Sequence, residues 1–474
     1  MAKEIGATEK DIINERIKKI AKIKELGLLP YPSKSKKSYS NERIKKIKEE
    51  LLASQQEIFV AGRITGLRGH GKLVFADISD QTGKIQAVFK ANIISPKEFE
   101  LVSLLDLGDF IEVNGRLFIT ESGELTVEAG KLQILAKSLR PLPEKWYGLK
   151  DIETRYRERY LDLALNPEVK ENFYLRSKVI QTLRNFLIEK GFIEVDTPVL
   201  QPIAGGASAK PFRTHFNAYD RDVYLRIAPE LYLKRLLVGG FEKVFEFARC
   251  FRNEGVDATH NPEFTNLEFY WAYADYESLM DLSEELIREV IKAINNEKPE
   301  FEIYGTRIDF SKKFKRITFK ELTSGKNTDE AFKAGLEKLI EPTFVTNHPT
   351  EMIPLAKRNE KNPDVVDSFQ LVIGGLELVK AFSELNDPVD QRKRFEEQMK
   401  LRKSGNEEAQ PMDEDFLKAV EFGMPPAAGF GMGIDRFVRV LTSSKTLREI
   451  LLFPFMKPTD ALHQKNERTE ERKN

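Results

Sequence analysis

The sequence predicts an α+β multidomain protein: helices and a small β-barrel come first, then a long region of mixed strands and helices. Three observations carry this. The chain has 474 residues, too many for one ordinary core. From Glu57 to Ala136 it runs in short alternating segments punctuated by turn signals. Beyond residue 152, apolar strand-like runs and amphipathic helical runs interchange over some three hundred residues.

Residues 9–26 place Ile12, Ile13, Ile17, Ile20 and Ile23 on a helical period, stopped by Gly27 and Pro30. After the polar link PYPSKSKKSYS, Ser40 or Asn41 caps a second helix, ERIKKIKEELLA. The strands EIFVAGRIT, KLVFADISD, KIQAVFK, DFIEVNGRLFIT and ELTVEAGKLQILA follow, with a helix, SPKEFELVSLLD, after the third. Five strands with a helix after the third is the order of an OB-fold, which serves either as a structural barrel or as a binder of single-stranded nucleic acid. The segment LRPLPEKWYGLKD reads as a linker. The charge-rich residues after Met456 read as a disordered tail. The expected divisions are a basic helical arm over 1–56, an OB-fold over 57–140, a linker over 141–152, a large α/β domain over 153–458 and a tail over 459–474.

In the large domain, a helix over Arg176–Lys190 leads into a strand over Phe192–Pro198, and a strand over Val223–Ile227 into a helix over Glu230–Val238. Two strands flank the loop of VFEFARCFRNEGVDATHNPEFTNLEFYWAY. FQLVIGGLELVKAFSE reads as one further strand, and GFGMGIDRFVRVLT as a glycine-rich strand-to-helix turn.

Lys plus Arg and Asp plus Glu both total 75, so the overall charge points to no partner. Residues 1–50 nevertheless hold fourteen basic against eight acidic side chains, either a solvated helical face or an arm turned toward RNA. A single cysteine, Cys250, rules out a disulfide framework and fits a reducing compartment. The five scattered histidines show no paired metal-ligand spacing. No signal-peptide core or membrane-length apolar run is present, so a cytoplasmic protein without a membrane partner is expected.

Alternation sets Arg252 and Glu254 on one face of a strand, and Glu268 and Tyr270 on one face of the next. Such charge is costly inside a core, so this is either a surface hairpin or a site. The turn Gly429–Arg436 marks either close backbone approach or a phosphate partner for Arg436.

These stretches resemble the signature motifs of the class II aminoacyl-tRNA synthetases. FRNEG…HNPEFTNLE resembles the second motif, GFGMGIDR the third, and RNFLIEKGFIEVDTPVL, ending at Pro198, the first, which lies at a dimer interface. GGASAKPF, RIAPELYLKRLLVGGFEKVFE, EPTFVTNHPTEMIPLAKR and AFSELNDPVDQRKRFEEQ narrow the resemblance to the lysine-specific family. It covers the chain from about Glu15 to Pro458.

The resemblance implies a catalytic domain built on an antiparallel β-sheet flanked by helices, and a homodimer that joins ATP and L-lysine into lysyl-adenylate, with Mg²⁺ as cofactor, and then acylates tRNA(Lys). Arg252 and Arg436 are the implied catalytic residues. Arg252 would clamp the α-phosphate and the lysine carboxylate. Glu254 and the backbone near Asn261 would read adenine, held between Phe264 and Arg436, with His260 near the terminal phosphates; Glu377 and Gly433 complete the implied ATP site. Glu230 and the Gly206 backbone would take the α-ammonium; Glu268, Tyr270 and Glu384 would take the side-chain ammonium, with Lys380 and Phe382 alongside. On its own, Glu384 could equally be a turn carboxylate. In the barrel, Arg63, Arg68, Phe75 and Gln86 fall at the implied anticodon positions, though Phe75 could equally be core.

Three departures from the family's pattern stand out. Of the two glutamates that usually hold magnesium, Glu377 is present and Gln370 replaces the other. Lys380 stands where an asparagine is usual, and could pair with the substrate carboxylate or with Glu377. The helical insertion TDEAFKAGLEKLI is short. An aspartate- or asparagine-specific relative would need a basic pocket in place of Glu268 and Glu384. A lineage that modifies an elongation factor lacks the barrel, and a non-catalytic lysine- or tRNA-binding regulator usually lacks the ATP arginines.

Overall fold

The computed structural model describes residues 8–143, 149, 151–326 and 328–458. The expected linker lies partly, and the expected tail wholly, outside them. Two compact units divide the chain, Met1–Gly148 and Leu149–Asn474.

In the first unit, β1 (Ile58–His70), β2 (Leu73–Asp80), β3 (Gly83–Lys90), β4 (Phe110–Ile119) and β5 (Leu125–Ala136) close a barrel in the order β1-β2-β3-β5-β4. The helix Pro96–Leu104 stands between β3 and β4, opened by a Ser95–Glu98 capping box. Alternation points Ala76, Ile78, Ile85, Ala87, Ile111 and Val113 inward. The N-terminal helix Glu9–Glu25 starts at a Thr8 cap, and Ser40 caps the next helix. The second expected helix is broken at Ile47 into Asn41–Lys46 and Lys48–Ser54. Ile23, Ile44 and Leu51 join the barrel core, so the basic arm is packed through its apolar stripe.

The second unit contains an eight-stranded sheet. Its strands are β6 (Ile193–Glu194), β10 (Lys243–Phe251), β11 (Glu263–Ala272), β14 (Lys315–Thr318), β15 (Thr343–Thr346), β16 (Ser368–Ile373), β17 (Leu376–Ser383) and β18 (Ala427–Gly433). They are ordered β14-β15-β16-β17-β18-β11-β10-β6, antiparallel except for the two outermost pairings. A small sheet of β7 (Leu200–Gln201), β8 (Arg213–Phe216) and β9 (Arg221–Leu225) and a hairpin of β12 (Glu300–Ile303) and β13 (Thr306–Asp309) complete it.

Register explains how the sheet makes both a core and a site. One row crosses five strands as Phe369, Ala381, Phe430, Phe269 and Phe245, all buried. The helices Val169–Glu189 and Tyr276–Ile294 pack their apolar stripes on this face. Phe269 and Phe430 stack there at 4.2 Å between centroids; burying each ring contributes about 1.5–3 kcal/mol. One residue to either side the row flips to the opposite face, as the period of two requires. There Gln370, Lys380, Gly431, Glu268 and Glu246 align, and beside them Ser368, Phe382, Gly429, Tyr270 and Val244.

Several expectations need correction. FQLVIGGLELVKAFSE is a hairpin, because Gly374 and Gly375 both take positive φ and turn the chain between β16 and β17. The strand expected over Phe192–Pro198 pairs only at Ile193–Glu194. β10 ends at Phe251, so Arg252 and Glu254 sit on a loop. The helix expected over Arg176–Lys190 begins earlier, at Val169.

Candidate active site

The polar face of the sheet floors a cavity of about 390 Å³. Gly206, Glu230, Arg252, Glu254, His260, Asn261, Phe264, Glu268, Tyr270, Glu377, Lys380, Phe382, Gly433 and Arg436 all line it. Residues spread over more than two hundred positions therefore meet in one place, and its two poles differ in charge.

The basic pole lies on the loop between β10 and β11 and at the start of the helix Ile434–Leu441. The Arg252 guanidinium sits over the Phe264 ring at 5.0 Å, and its Nε is buried without a hydrogen-bond partner among the described residues. Arg436 Nη2 donates to His260 Nε2 at 3.1 Å, which leaves His260 Nδ1–H to donate to Asp257 Oδ2 at 2.8 Å. Asp257 also accepts from the Thr259 and His260 backbone, and these bonds hold its carboxyl low, at about 2, against the opposing effect of burial. Asp435 pairs with Arg176 at 2.6 Å and accepts from the Thr265 backbone, fixing the helix start against β11.

The acidic pole holds Glu230, Glu268, Tyr270 and Glu384. Glu268 accepts from Asn266 at 2.9 Å and from the Tyr270 hydroxyl at 3.2 Å. Burial, reinforced by Glu230, pushes its pKa up to about 8. Glu384 lies behind the cavity wall, buried by residues of β17 and β18, and burial carries it likewise to about 8 despite the facing Lys234. A Cβ on Gly429 would run into Glu384 Oε1 and the Tyr270 ring, so only glycine leaves room at this corner. Lys234, one helical turn after Glu230, donates to Glu230 Oε1 at 2.7 Å and pairs with Glu384. The sequence signal that could have found Lys234 is its i+4 spacing from Glu230.

Gln370 does not line the cavity as an oxygen donor. Its Oε1 lies 3.1 Å from His348 Nε2, and its Nε2 donates to Glu377 Oε2 at 2.7 Å. His348 is buried and held neutral, its pKa pushed down to about 4 by desolvation and by Lys380. Its Nε2–H therefore serves the Gln370 oxygen while Nδ1 accepts from Ser368 at 2.9 Å. With its oxygen engaged and its amide hydrogen on Glu377, Gln370 offers no metal ligand as placed. No group of three or more His, Cys, Asp or Glu side chains suited to a metal ion exists among the described residues.

On the barrel, the four expected residues share the outward face of β1, β2 and β3. Arg63 lies over the Phe110 ring at 4.4 Å. Arg68 is paired across the strand with Phe75 and is bound to Asp77 at 3.0 Å. Phe75 is half-buried and outside the barrel core, while Gln86 is buried and accepts from Thr126 at 2.8 Å.

Residues 151–457 match the family of class II tRNA synthetases (D, K and N), and residues 58–141 match the OB-fold nucleic acid binding domain family. The chain is 49% identical to a lysine--tRNA ligase of Pelotomaculum thermopropionicum, covering 95% of this chain and 96% of the relative. It is 47% identical to a lysine--tRNA ligase of Carboxydothermus hydrogenoformans (95% and 99% covered) and 43% identical to one of Thermotoga maritima (95% and 96%). The chain belongs to the class II tRNA synthetases and, within them, to the lysine--tRNA ligase family. No helix among the described residues is long and apolar enough to cross a membrane.

Proposed function

We propose that this protein activates L-lysine with ATP and transfers it to tRNA(Lys), and the observation that carries the reading is the charge division of one cavity. A lysine set between the poles would direct its carboxylate toward Arg252 and its two ammonium groups toward Glu230 and Glu268, with Glu384 behind the wall at the Gly429 corner. A carboxylate oxygen attacks the α-phosphorus of ATP, the bond to the bridging oxygen breaks, and pyrophosphate leaves. Arg252 serves the α-phosphate, and His260 the terminal phosphates. These groups act by position and by stabilising phosphate charge, without a covalent enzyme intermediate. Glu254 and the backbone near Asn261 suit adenine recognition, and Phe264 and Arg436 suit its two ring faces.

The family implies magnesium, and the described residues do not form a site for it beyond the single carboxylate of Glu377. Magnesium thus enters with the ATP phosphates, which are its principal ligands. The tRNA reading rests on the outward face of the barrel, where Phe75 suits base stacking and Gln86 an amide contact to a base edge. A homodimer through the Pro198 region is supported by the apolar side chains Ile193, Val199, Leu200, Phe216 and Tyr219, all exposed in the single chain. Sedimentation at micromolar concentration tests it: a fully active monomer would refute it.

Lysine-dependent exchange between ATP and pyrophosphate, with aspartate, asparagine and arginine as controls, tests the central reading. Lysine alone should support exchange. Exchange with aspartate and none with lysine would overturn it.

A further inference from the structure

Lys234 belongs to neither pole in the reading above, yet its ammonium is fully buried between two of the pocket's acids. It sits on the helix Glu230–Val238, its Nζ 5.6 Å from the Phe382 ring centroid. Nζ donates to Glu230 Oε1 at 2.7 Å and makes an ionic contact with Glu384. Neither oxygen of Glu384 accepts a well-directed hydrogen bond from the described residues, and Oε1 faces Gly429 and Tyr270. That carboxylate is thus half-compensated, with charge but no geometry supplied from within.

We propose that Lys234 is a specificity-determining positioning residue, a built-in ammonium fixed between Glu230 and Glu384 that leaves the pocket requiring two further positive charges. The proposal rests on the lysine-activating reading and deepens it. Glu230 and Glu268 line the pocket and Glu384 lies behind its wall, at the corner made by Gly429 and Tyr270; Lys234 cancels one of these three carboxylates. Glu246, the next acid along the same row, is neutralised by Arg226 at 2.5 Å and does not count. Of the cavity's other charges, Lys380 and Glu377 on β17 cancel in number, and Arg252 lies at the other pole, over Phe264. The remaining two negative charges match the α- and side-chain ammonium groups of a diamino acid. An amino acid with one ammonium leaves a buried carboxylate uncompensated, which is strongly unfavourable. Lys234 touches no reacting atom in this scheme. It acts through Glu230 and Glu384, by bridging both and keeping them at a fixed separation.

The test compares wild type with Lys234→Met and with the double variant Lys234→Met plus Glu384→Gln, using Glu384→Gln alone to complete the cycle, in lysine-dependent pyrophosphate exchange across pH. Lys234→Met should raise the KM for lysine by about tenfold or more with a much smaller change in kcat. It should also move the acid limb of kcat/KM for lysine upward by about one pH unit or more, since three facing carboxylates hold a proton more tightly. The double variant restores the count to two, so its acid limb should return toward wild type and its loss should be smaller than the product of the single losses. An unchanged KM and pH profile in Lys234→Met, or multiplicative losses in the double variant, would overturn the proposal. So would failure of both variants to fold by circular dichroism, which would make Lys234 a purely structural ion pair. Absence of lysine-dependent exchange in the wild type would instead refute the functional reading itself.

Discussion

Gln370→Glu offers a sharp test of how the β16–β17 hairpin is charged. In the wild type the Gln370 amide hydrogen reaches Glu377 Oε2 at 2.7 Å. The substitution replaces a hydrogen bond to a charged acceptor, about 1.5–3 kcal/mol, by two carboxylates at that separation. Their repulsion is about 6 kcal/mol at an effective dielectric of 20, falling to about 4 kcal/mol if they part to about 4 Å. Lys380, directly across the ladder from Gln370, offsets part of this. A net loss of about 2–4 kcal/mol is expected at pH 8 without divalent ions, seen as a Tm lower by about 5 °C or more. The same pair of carboxylates is a hard-oxygen cation site, so millimolar Mg²⁺ should restore most of the loss in the variant and leave the ATP-free wild type unchanged. The assay is a thermal melt at fixed scan rate with EDTA or Mg²⁺. An unaltered melt in the variant, or a magnesium-dependent melt in the wild type without ATP, would refute the reasoning.

The other predictions are independent of that pair. Arg252→Ala should abolish pyrophosphate exchange, because one lost transition-state stabiliser costs about 2.7–4 kcal/mol; near-normal exchange would contradict the assigned role. Phe75→Ala should leave exchange intact and raise the KM for tRNA, and a joint loss of both activities with unfolding would make it a structural residue. The pH dependence follows from Glu268 and Glu384, both raised from the ordinary carboxylate value to about 8. The folded protein then holds protons that the unfolded chain has released, so stability without lysine should fall as pH rises from 6.5 to 8. His348, pushed down from 6.5 to about 4, is neutral when folded but half-protonated at pH 6.5 when unfolded, so it opposes the trend at the lower edge of this window and has little effect above about pH 7.5. Lysine binding needs the carboxylates ionised, so its affinity should rise across the same window by up to about fifteenfold per group. Calorimetry in buffers of different ionisation enthalpy should show proton release, and a pH-independent affinity with none would refute the assignment.

The sequence by itself determined the elements whose cause is local. The barrel strands follow from period-two alternation, and the helix Glu230–Val238 from its flanking Pro229 and Gly239. The motif phrases also brought most of the cavity's residues into view through their resemblance to a known family, although the local pattern set Arg252 and Glu254 on a strand that ends at Phe251. Tertiary structure decided what depends on pairing across the chain. A run such as FQLVIGGLELVK is apolar whether it is one strand or two, and only the Gly374–Gly375 turn against β15 and β18 makes it a hairpin. The direction of the Gln370 amide is set by His348, twenty-two positions away, through a hydrogen bond that no local pattern encodes. Lys234 reads in sequence as one basic residue on an amphipathic helix. Its role appears only when Glu384 is folded against it and both are removed from water, where an unmatched charge is strongly unfavourable.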